Sequence, residues 1–523
     1  MLRKSKSQNS PLDEFSQVLP RPPDNEELLQ YLLKGQETRW FLFLSVVTSF
    51  WAATFLLFFS LLTPAFLILA PFAFLGYIAT IVAGVSSLNH RRISASSHME
   101  FITSWQPRGE SYPSIDVFLP SCGEPIEVLA NTYWYVSRMK WPGELNVYIL
   151  DDSGREEDKL KELASNYGFH YLSRENRGFL KKAGNLKFGY ENSGGDFIAV
   201  FDADFVPRED YLHHLMPYFD DPTIGIVQSP QFFGTDSWMN WLERGAGATQ
   251  ELFYRWIQPS RDSLNAAICV GTCAVYRRQA LDASGGFAQI SHSEDVHTGF
   301  ALMLQKYFVR YVPVNVSKGL CPDTLPAFIS QQYRWCTGSM TLMKSKRFWS
   351  SPLNFKKKVA FSAGFSYYLG TALFSFVASL PAMLVLWGWP MFLQPITYIV
   401  VALPLLFSYG IFPLVIRATW DMGLPRVQTI YSFAHAVAIW DVFRRKSDAW
   451  APTGDNSSSK KSPTPQRVKK LMVVWNLFRY FVIMSGIIKV LILGQIAFWL
   501  LVPLMLLLLL DLWILIPIFS RSI

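Results

Sequence analysis

Four long stretches of this chain are strongly apolar, and three of them contain no charged residue. The charge-free stretches are residues 40–62, 64–87 and 359–416. The fourth stretch, 471–519, is interrupted by only three charges. About 20 apolar residues suffice for a helix to cross a bilayer, so each stretch can form at least one span and the longer ones can form two. We therefore expect an α-helical, multi-pass membrane region of about six spans.

The composition agrees with a chain that is only partly exposed to water. Half of its 523 residues are hydrophobic and 17% are charged, against about 25% in a typical soluble domain. The first 35 residues are polar and contain several prolines, so we expect a disordered cytoplasmic tail there. A full-length apolar stretch follows this tail, whereas a signal peptide has a shorter apolar core, so a cleaved signal peptide is not expected.

The basic residues lie next to the apolar stretches. Those before the first and after the second stretch are Arg3, Lys4, Lys6, Arg91 and Arg92. From 421 to 470, nine Lys or Arg occur against four Asp. By the positive-inside rule these segments are cytoplasmic, which predicts a multi-pass protein of the plasma (inner) membrane with a cytoplasmic soluble domain. No nucleic-acid partner is expected, because that would require basic and aromatic residues together on one face.

Short β-rich runs alternate with helical stretches in the middle of the chain. The runs are IDVFLP, NVYILDD, FHYLS, FIAVFDAD and IGIVQS. Strands separated by helices indicate βαβ units, so we predict an α/β domain with a mostly parallel sheet, inserted in the membrane region. The predicted segments are the tail (1–35), two spans (36–90), the α/β domain (95–345), a basic interfacial segment with two spans (346–420), an interfacial helix and a loop (421–470), and the last two spans (471–523).

Two carboxylates directly follow one of these runs. Asp202 and Asp204 stand one residue apart after FIAV, and ligands of such sheets bind beyond the carboxyl ends of the strands. Hard oxygen ligands at this spacing suit Mg²⁺ or Mn²⁺ carrying substrate phosphates. The alternative is that the pair only caps a helix. Asp151 and Asp152 end another run in the same way.

The segment LKKAGNLKFG precedes the Asp pair. Lys182 stands there beside Gly184 and Asn185, so the backbone could approach a diphosphate while the ammonium neutralises it. An ordinary helix N-terminus with solvated lysines is the alternative. The sequence has neither a Walker A pattern nor G-x-G-x-x-G after a strand, so neither an ATPase nor a nicotinamide enzyme is supported.

The segment SHSEDVHTGF places Glu294 and Asp295 between two histidines. The zinc-protease spacing H-E-x-x-H is absent, so a general base is the better interpretation. A helix N-cap at Ser293 with acidic residues in the first turn fits the same letters and does not exclude the base.

The segment ISQQYRWCTGSM lies just before the third apolar stretch. It completes an ordered set of motifs: Asp-Asp, Asp-x-Asp, Ser-Glu-Asp and Gln-x-x-Arg-Trp. This set resembles the family 2 inverting glycosyltransferases, in particular their processive, cellulose synthase-like membrane branch. The resemblance covers roughly residues 110–345, and the flanking spans fit it. It implies that the α/β domain is a GT-A-like glycosyltransferase domain.

The resemblance also implies which residues bind the donor. Those around its uracil and ribose would be Ser121, Glu124, Asp151 and Asp152. Those at its diphosphate would be Lys182, Arg334 and, through a divalent metal ion (Mg²⁺ or Mn²⁺), Asp202 and Asp204. Arginine suits this role because its planar fork pairs with two phosphate oxygens at once.

The remaining implied roles concern the acceptor. Asp295 would be the catalytic base, and Gln331 and Trp335 would line the mouth of a polymer channel, where an indole can stack on a sugar ring. Residues 449–454, AWAPTG, stand where cellulose synthases carry a gating loop with an F-x-V-T core. The counterparts there would be Trp450 and Thr453, although the letters depart from that core.

The implied function is that of a hexosyltransferase. It would polymerise a β-glucan processively from UDP-glucose, with inversion at the anomeric carbon, and export the polymer through its own spans. Its partners would be UDP-glucose, the growing glucan, the lipid bilayer and an accessory export subunit if one is required. Two departures leave β-1,4, β-1,3 and mixed linkages open: Ser293 where Thr is usual, and Phe205 where some members have His.

Two alternatives remain from the sequence. Within the family, the alternative is a non-processive transferase that acts on a lipid acceptor. Outside it, the alternative is a transporter with a regulatory domain. Transporters show internal repeats, and no repeat is visible in this sequence.

Overall fold

The chain combines an α/β domain with long apolar helices that precede and follow it. The structure, a computed structural model, describes residues 19–33, 39–87, 91, 93–109, 111–236, 238–407, 423–445 and 462–520. The strands among these residues are β1 (Ile115–Ser121), β2 (Leu145–Asp151), β3 (His170–Ser173), β4 (Phe197–Val200), β5 (Val206–Pro207), β6 (Ile224–Gln228), β7 (Phe232–Phe233), β8 (Ala274–Arg277), β9 (Phe308–Tyr311) and β10 (Ser317–Gly319).

Helices form most of the remaining described chain. They are α1 (Asn25–Leu28), α2 (Gln30–Leu33), α3 (Arg39–Ser60), α4 (Ala70–Ser87), α5 (Ala95–Ser104), α6 (Ile126–Val136), α7 (Glu157–Tyr167), α8 (Lys181–Glu191), α9 (Tyr211–Leu215), α10 (Trp241–Leu252), α11 (Gln258–Ser263), α12 (Arg278–Ser284), α13 (Glu294–Leu304), α14 (Leu325–Lys344), α15 (Lys346–Trp349), α16 (Phe355–Val377), α17 (Leu380–Gly388), α18 (Pro395–Leu406), α19 (Gly423–Arg444), α20 (Thr464–Ile492) and α21 (Val502–Phe519). A π-helical segment, Phe253–Ile257, joins α10 to α11.

Seven strands form the central sheet, in the order β3-β2-β1-β4-β8-β6-β9. Neighbouring strands are parallel except at β8, which runs antiparallel to β4 and β6. Every residue of β1, β4 and β6 is buried, as expected of strands covered on both faces. The predicted α/β domain with a mostly parallel sheet is confirmed, and all five quoted runs contain strands.

The register of the first three strands places their carboxyl ends in one row. Ser121 pairs with Asp151, and Asp151 pairs with Ser173. On the other side of β1, Phe118 stands opposite Val200, the last residue of β4. The chain after β4 therefore emerges at the same edge, which is where a sheet of this kind binds its ligands.

A second, three-stranded sheet follows the Asp-x-Asp motif, in the order β5-β10-β7. Phe205 connects the motif to β5. Its ring fills the space beside Gly319 of β10 and packs on Phe233 of β7, with ring centroids 5.4 Å apart. The second sheet thus fixes the chain directly after the motif.

Residues 19–33, which we predicted to belong to a disordered tail, are instead folded against the α/β domain. They form α1 and α2, and Asn315 N donates to the carbonyl of Leu28 at 2.9 Å. Leu28, Tyr31 and Leu32 are buried in the core of the domain. These apolar side chains outweigh the prolines and polar residues that favoured disorder. We call residues 19–33 the N-terminal strap.

Several described helices are long and apolar enough to cross a membrane, which indicates a membrane protein. They are Pro64–Ile81, Phe355–Gly388, Thr464–Ile492 and Phe498–Phe519, with a shorter apolar helix at Val46–Ser60. Of the predicted span 394–417, the described residues include only 394–407. The total of about six spans, the inner-membrane location and the cytoplasmic side of the domain stay predictions.

The charges within the last apolar stretch have partners. Arg479 of α20 is ion-paired with Asp511 of α21, and Tyr480 also donates to Asp511. Lys489 donates to the carbonyl of Trp387 at 2.5 Å. Because polar groups are costly in a membrane unless they are paired, these contacts stabilise the packing of α20 against its neighbours.

The predicted interfacial helix is α19, and it joins the α/β domain to the apolar helices. It contacts α10 and α14 of the domain and also α16 and α20. Asp441 near its end accepts hydrogen bonds from Arg467 of α20 at 2.7 and 2.8 Å, and from Tyr333 of α14 at 2.9 Å. The helix that carries the Gln-x-x-Arg-Trp motif is thereby fastened to a candidate span.

Candidate active site

The carboxyl end of β2 carries two aspartates that shape the neighbouring loops. Asp151 accepts a hydrogen bond from the Tyr171 hydroxyl at 2.8 Å. Asp152 accepts two from Arg174, at 2.6 and 2.8 Å, in a buried bidentate pair. Ser121, also buried, lies beside Asp151 at the end of β1. These residues line the edge at which the resemblance implies the uracil and ribose.

Glu124 lies in the loop after β1. Its Oε2 accepts a hydrogen bond from Cys122 N at 2.6 Å. Burial, with a smaller contribution from the carboxylates of Asp202 and Asp151, raises the pKa of Glu124 to about 7. Glu124 is therefore close enough to the Asp-x-Asp motif to be affected by its charge.

The Asp-x-Asp motif forms a turn between β4 and β5. Phe205 N donates to the carbonyl of Asp202 at 3.0 Å, and Asp202 N donates to the Thr272 hydroxyl at 2.8 Å. The carbonyl of Ala203 accepts from the Thr132 hydroxyl at 2.7 Å. The helix-cap alternative is wrong, because the chain continues into a strand.

The two carboxylates of this motif have different surroundings. Asp202 is ion-paired with Lys182. Burial, followed by the charge of Asp202, raises the pKa of Asp204 to about 7. Neighbouring carboxylates raise one another's pKa unless a cation neutralises them. The motif therefore carries more negative charge than Lys182 alone neutralises.

Lys182 lies in the first turn of α8, but it is not a solvated lysine. Its ammonium donates to Asp202 and to the carbonyl of Gly271, the latter at 2.9 Å. It also stands 3.9 Å from Glu294 Oε1. Lys182 thus links the Asp-x-Asp turn, the chain before β8 and the start of α13.

The loop before α8 has an unusual backbone. Leu180 and Lys181 both have φ of 53°, and Gly178 has φ of 78°. The left-handed conformation costs a residue with a Cβ about 1 kcal/mol, and such strain concentrates at functional sites. Because Lys182 follows at once, this loop sets the direction from which its ammonium enters the site.

Glu294 and Asp295 begin α13 without the expected side-chain cap. Ser293 has a left-handed backbone with φ of 52°, and its hydroxyl makes no capping hydrogen bond. Asp295 Oδ1 accepts from Val296 N at 2.8 Å. Gly271, with φ of 76°, lies so close that a Cβ there would stand 2.9 Å from the Cβ of Asp295. The backbone at Gly271 thus packs directly on this carboxylate.

The proton affinity of Asp295 suits a base. Burial raises its pKa to about 7, and the neighbouring Glu294 is the next largest cause. Burial also raises the pKa of Glu294, against the opposing charge of Lys182. A carboxyl group that titrates near neutral pH can accept a proton under the conditions in which most enzymes work.

Helix α14 brings the Gln-x-x-Arg-Trp motif against the start of α13. The Ser293 hydroxyl donates to the carbonyl of Arg334 at 3.3 Å, and a Cβ at Gly338 would overlap the Ser293 side chain. Gln331 is buried and stands one turn before the half-buried Trp335, so the two share a side of α14.

The Arg334 guanidinium is electrostatically part of the same site. Burial lowers its pKa to about 10, while the carboxylates of Asp202, Glu294 and Asp204 act in the opposite direction. The contact between the Arg334 carbonyl and the Ser293 hydroxyl places this residue beside the start of α13, and the three carboxylates favour its charged form. Arg334 is therefore a second cation of the site, beside Lys182.

The structure thus brings together most of the residues predicted for the site. Those that meet, which we call the acidic cluster, are the carboxylates of Glu124, Asp202, Asp204, Glu294 and Asp295 with the cations Lys182 and Arg334. Those that lie beside it, on strand ends or on α14, are Ser121, Asp151, Asp152, Gln331 and Trp335. Trp450 and Thr453 lie outside the described residues.

Three further residues of the site were not found from the sequence. Gly271 and Thr272 precede β8, and the Gly-Thr pair in VGTCAV, directly before an apolar run, could have indicated them. Thr132 of α6 carries no such signal, because its partner Ala203 is 71 positions away.

Comparison with known proteins finds a family that resembles part of the chain. Residues 197–414 match the family described as Glycosyl transferase family group 2. The matched part includes the Asp-x-Asp motif, Asp295 and the Gln-x-x-Arg-Trp motif. This part of the chain is therefore similar to glycosyl transferase family group 2.

The chain is also similar to cellulose synthases. It is 34% identical over 232 residues to the cellulose synthase catalytic subunit (UDP-forming) of Xanthomonas axonopodis pv. citri (strain 306), over 43% of this chain and 31% of that protein. The corresponding subunit of Pseudomonas fluorescens (strain SBW25) is 34% identical over 241 residues, with coverage of 45% and 32%. Cellulose synthase 1 of Komagataeibacter xylinus is 31% identical over 243 residues, with coverage of 46% and 16%. The chain spans about a third or less of these curated relatives.

Solved structures show weaker similarity. A mannosyltransferase from Pyrobaculum calidifontis in complex with GDP-Man and Mn²⁺ has a TM-score of 0.48 and 16% identity, over 70% of this chain and 99% of that one. Glucosyl-3-phosphoglycerate synthase from Mycobacterium tuberculosis has a TM-score of 0.29 and 17% identity, over 41% and 78%. These similarities are too weak to assign ligands. The sheet order and the family match together confirm the predicted GT-A-like domain.

Proposed function

We propose that this chain is a processive, inverting hexosyltransferase that polymerises a β-glucan from UDP-glucose and exports it through its apolar helices. The observation that carries the proposal is the acidic cluster, in which five half-buried carboxylates occur together with only two cations, Lys182 and Arg334. A nucleoside diphosphate with a divalent metal ion matches such a site, because its phosphates pair with the cations while the metal pairs with the carboxylates.

Asp202 and Asp204 would hold the metal ion, Mg²⁺ or Mn²⁺. Their oxygens are suitable ligands, and the pKa of Asp204 is raised first by burial and then by the charge of Asp202, which a metal would neutralise. Among the described residues, no three His, Cys, Asp or Glu side chains form a metal-binding group. The ion would therefore take its remaining ligands from phosphate oxygens and water, as Mg²⁺ commonly does. When bound, it would neutralise charge on the leaving diphosphate.

Lys182 and Arg334 bind and orient the diphosphate of the donor. The ammonium of Lys182 is a compact charge at the end of a flexible chain, whereas the Arg334 guanidinium can pair with two phosphate oxygens. Ser121, Glu124, Asp151 and Asp152 lie at the neighbouring strand ends, where the uracil and ribose would extend. Positioning of this kind supplies a large part of the rate enhancement in group transfer.

Asp295 takes the proton from the acceptor hydroxyl. The new bond from that oxygen to the anomeric carbon forms as the bond from the carbon to UDP breaks, and attack from the opposite face inverts the configuration. The pKa of Asp295, about 7, suits this transfer near neutral pH. Trp335 stacks on the C–H face of the acceptor sugar, and Gln331 bonds its hydroxyls.

The position of α14 supports processive synthesis and export. This helix contacts α16 and α20, which belong to candidate spans. A polymer that grows beside Trp335 would thus reach the membrane helices at once. The similarity to UDP-forming cellulose synthases supports UDP as the leaving nucleotide and glucose as the sugar. Trp450 and Thr453 remain the proposed residues of a gating loop.

A non-processive transfer of one sugar to a lipid acceptor is the second candidate. The same closeness of α14 to candidate spans favours it, because a lipid acceptor could reach the site from the bilayer. The two candidates share the donor site and Asp295, and they differ in the product.

The test uses the purified full chain in lipid with Mg²⁺ or Mn²⁺ and radiolabelled UDP-sugars. We expect insoluble labelled polymer from UDP-glucose, and Asp295→Asn should slow its formation by about 10²- to 10⁴-fold. The exposed Asp158→Asn on α7 is the matched control and should have no effect. Linkage-specific glucanases would then identify the linkage. A lipid-soluble monosaccharide product would favour the second candidate, and no turnover of any nucleotide sugar would contradict both.

A further inference from the structure

The N-terminal strap is held by the same helix that holds the Asp-x-Asp motif. Asn131 of α6 donates through its side chain to the carbonyl of Pro20 at 3.0 Å. The next residue, Thr132, donates to the carbonyl of Ala203 at 2.7 Å. Adjacent residues of α6 therefore fix the strap and the middle residue of the motif.

The strap also contacts the chain at the end of β5. Arg208 donates to the carbonyl of Pro23 at 2.8 Å and to Asn25 Oδ1 at 3.2 Å. The same guanidinium is paired with Asp210 at 2.8 Å. Arg208 stands four residues after Asp204 and directly after β5, so this contact is made close to the motif along the chain.

A third set of contacts involves β10. Glu27 is ion-paired with Lys318 at 2.7 Å, and its carbonyl accepts from Asn315 Nδ2 at 2.9 Å. Both side chains of the ion pair are largely buried, with 27% and 18% exposed. The next residue of β10, Gly319, is the one against which the Phe205 ring packs.

The last contacts reach β7. Tyr31 donates to Glu251 Oε1 at 2.9 Å, and the Arg255 guanidinium lies 4.5 Å from its ring centroid. The ring also meets Phe232 edge-on, with centroids 6.2 Å apart. The neighbouring Phe233 packs on the ring of Phe205, which directly follows the motif. The strap therefore contacts β7 and β10 themselves, and it contacts Arg208 directly after β5.

We propose that the N-terminal strap is a positioning element for the Asp-x-Asp motif and sets the affinity of the site for a metal–nucleoside diphosphate complex. This inference rests on the proposed function, in which Asp202 and Asp204 hold the metal. The strands that support the motif are two or three residues long, and such short strands have little stability of their own. Without the strap, the turn between β4 and β5 would relax, and its two mutually repelling carboxylates would separate.

The test measures binding of UDP in the presence of Mn²⁺ to the full chain in lipid nanodiscs, by calorimetry and without turnover. The variant Glu27→Gln with Tyr31→Phe removes the ion pair to Lys318 and the hydroxyl contact to Glu251, but keeps the buried ring. We expect the Kd to rise about fivefold. The control Glu26→Gln changes an exposed side chain of the same helix and should leave the Kd unchanged.

Hydrogen exchange of residues 19–33 reports whether the strap has loosened in the double variant. If the exchange rates of these residues are unchanged, Tyr31→Ala is used in place of the double variant. A purely structural strap would lower the unfolding temperature and leave the Kd of the folded protein unchanged. A loosened strap with an unchanged Kd, or an equal rise in the control, would therefore overturn the proposal. The reversed pair, Glu27→Lys with Lys318→Glu, keeps an ion pair between the strap and β10. Its Kd should therefore lie between that of the unchanged chain and that of the variant with the loosened strap.

Asp204→Asn separates this inference from the proposed function. If Asp204→Asn leaves binding of UDP with Mn²⁺ intact, the proposed function fails. If it abolishes binding while the loosened strap binds normally, the inference about the strap fails alone.

Discussion

Carboxylates outside the acidic cluster and carboxylates inside it are neutralised in different ways. Outside, Asp116 is fully buried and has an arginine of its own, Arg278, at 3.0 Å. Asp441 is likewise buried and is paired with Arg467 at 2.7 Å. The acidic cluster, in contrast, places five carboxylates around two cations.

The difference shows which of the two regions is arranged for stability. A carboxylate removed from water is costly unless a cation pairs with it, so one-to-one pairing is what folding alone favours. In the cluster, burial and mutual repulsion instead raise the pKa of Glu124, Asp204 and Asp295 to about 7 each. Strongly shifted groups that converge at one place are typical of sites built for a ligand rather than for stability.

Splitting a one-to-one pair should have the largest effect on stability. Arg278→Met would leave Asp116 buried without its cation, and loss of one partner of a buried pair costs about 3–5 kcal/mol. The midpoint of thermal unfolding should fall by several degrees. The double variant Asp116→Asn with Arg278→Met should recover part of the loss, since no unpaired charge remains. An unchanged midpoint in the single variant would contradict the view that pairing stabilises this region.

The two regions also differ in how far the sequence could predict them. Asp202, Asp204, Asp295 and Lys182 occur in short motifs, and the resemblance of those motifs to the family 2 glycosyltransferases implied a common site for them. Asp116 and its arginine are 162 positions apart, and neither belongs to a motif. Each looks like an ordinary surface charge until the sheet is assembled.

The N-terminal strap shows the same limit in another form. Its polar, proline-containing sequence is typical of disorder, and the buried Tyr31 ring packs against Phe232 of the second sheet. That sheet consists of strands of two or three residues. Such strands are too short to show an alternating pattern, so the sequence gives no sign of the surface that the strap covers.

Removing a charge from the acidic cluster should raise the stability of the protein, whereas Arg278→Met should lower it. The change should also be smaller than that of Arg278→Met. The pKa of Asp204 is raised to about 7, against about 3.9 in an unfolded chain. The folded protein therefore binds more protons than the unfolded chain between these values. The stability that comes from protonated Asp204 is present at low pH and is lost as the pH rises through about 7.

Asp204→Asn imitates the protonated group at every pH. In metal-free buffer it should raise the unfolding midpoint, by more at pH 8 than at pH 5, as scanning calorimetry can measure. Asp441→Asn is the matched control outside the cluster. It should lower the midpoint, because it removes the buried charge that is paired with Arg467. A decrease in both variants would show that Asp204 is neutralised in the same way as Asp441.

The smallest effect is expected for an ion pair on the surface. Lys161 and Glu157 on α7 are 2.7 Å apart, the same distance as Arg467 and Asp441. Solvent screens the surface pair, whereas Asp441 is only 4% exposed. Lys161→Gln should therefore leave the unfolding midpoint unchanged, while Arg467→Gln should lower it by several degrees. Equal decreases would show that distance, rather than burial, determines the strength of ion pairs in this protein. In that case burial would not make a carboxylate without its own cation costly. The half-buried carboxylates of the acidic cluster would then no longer indicate a site that requires a cationic ligand.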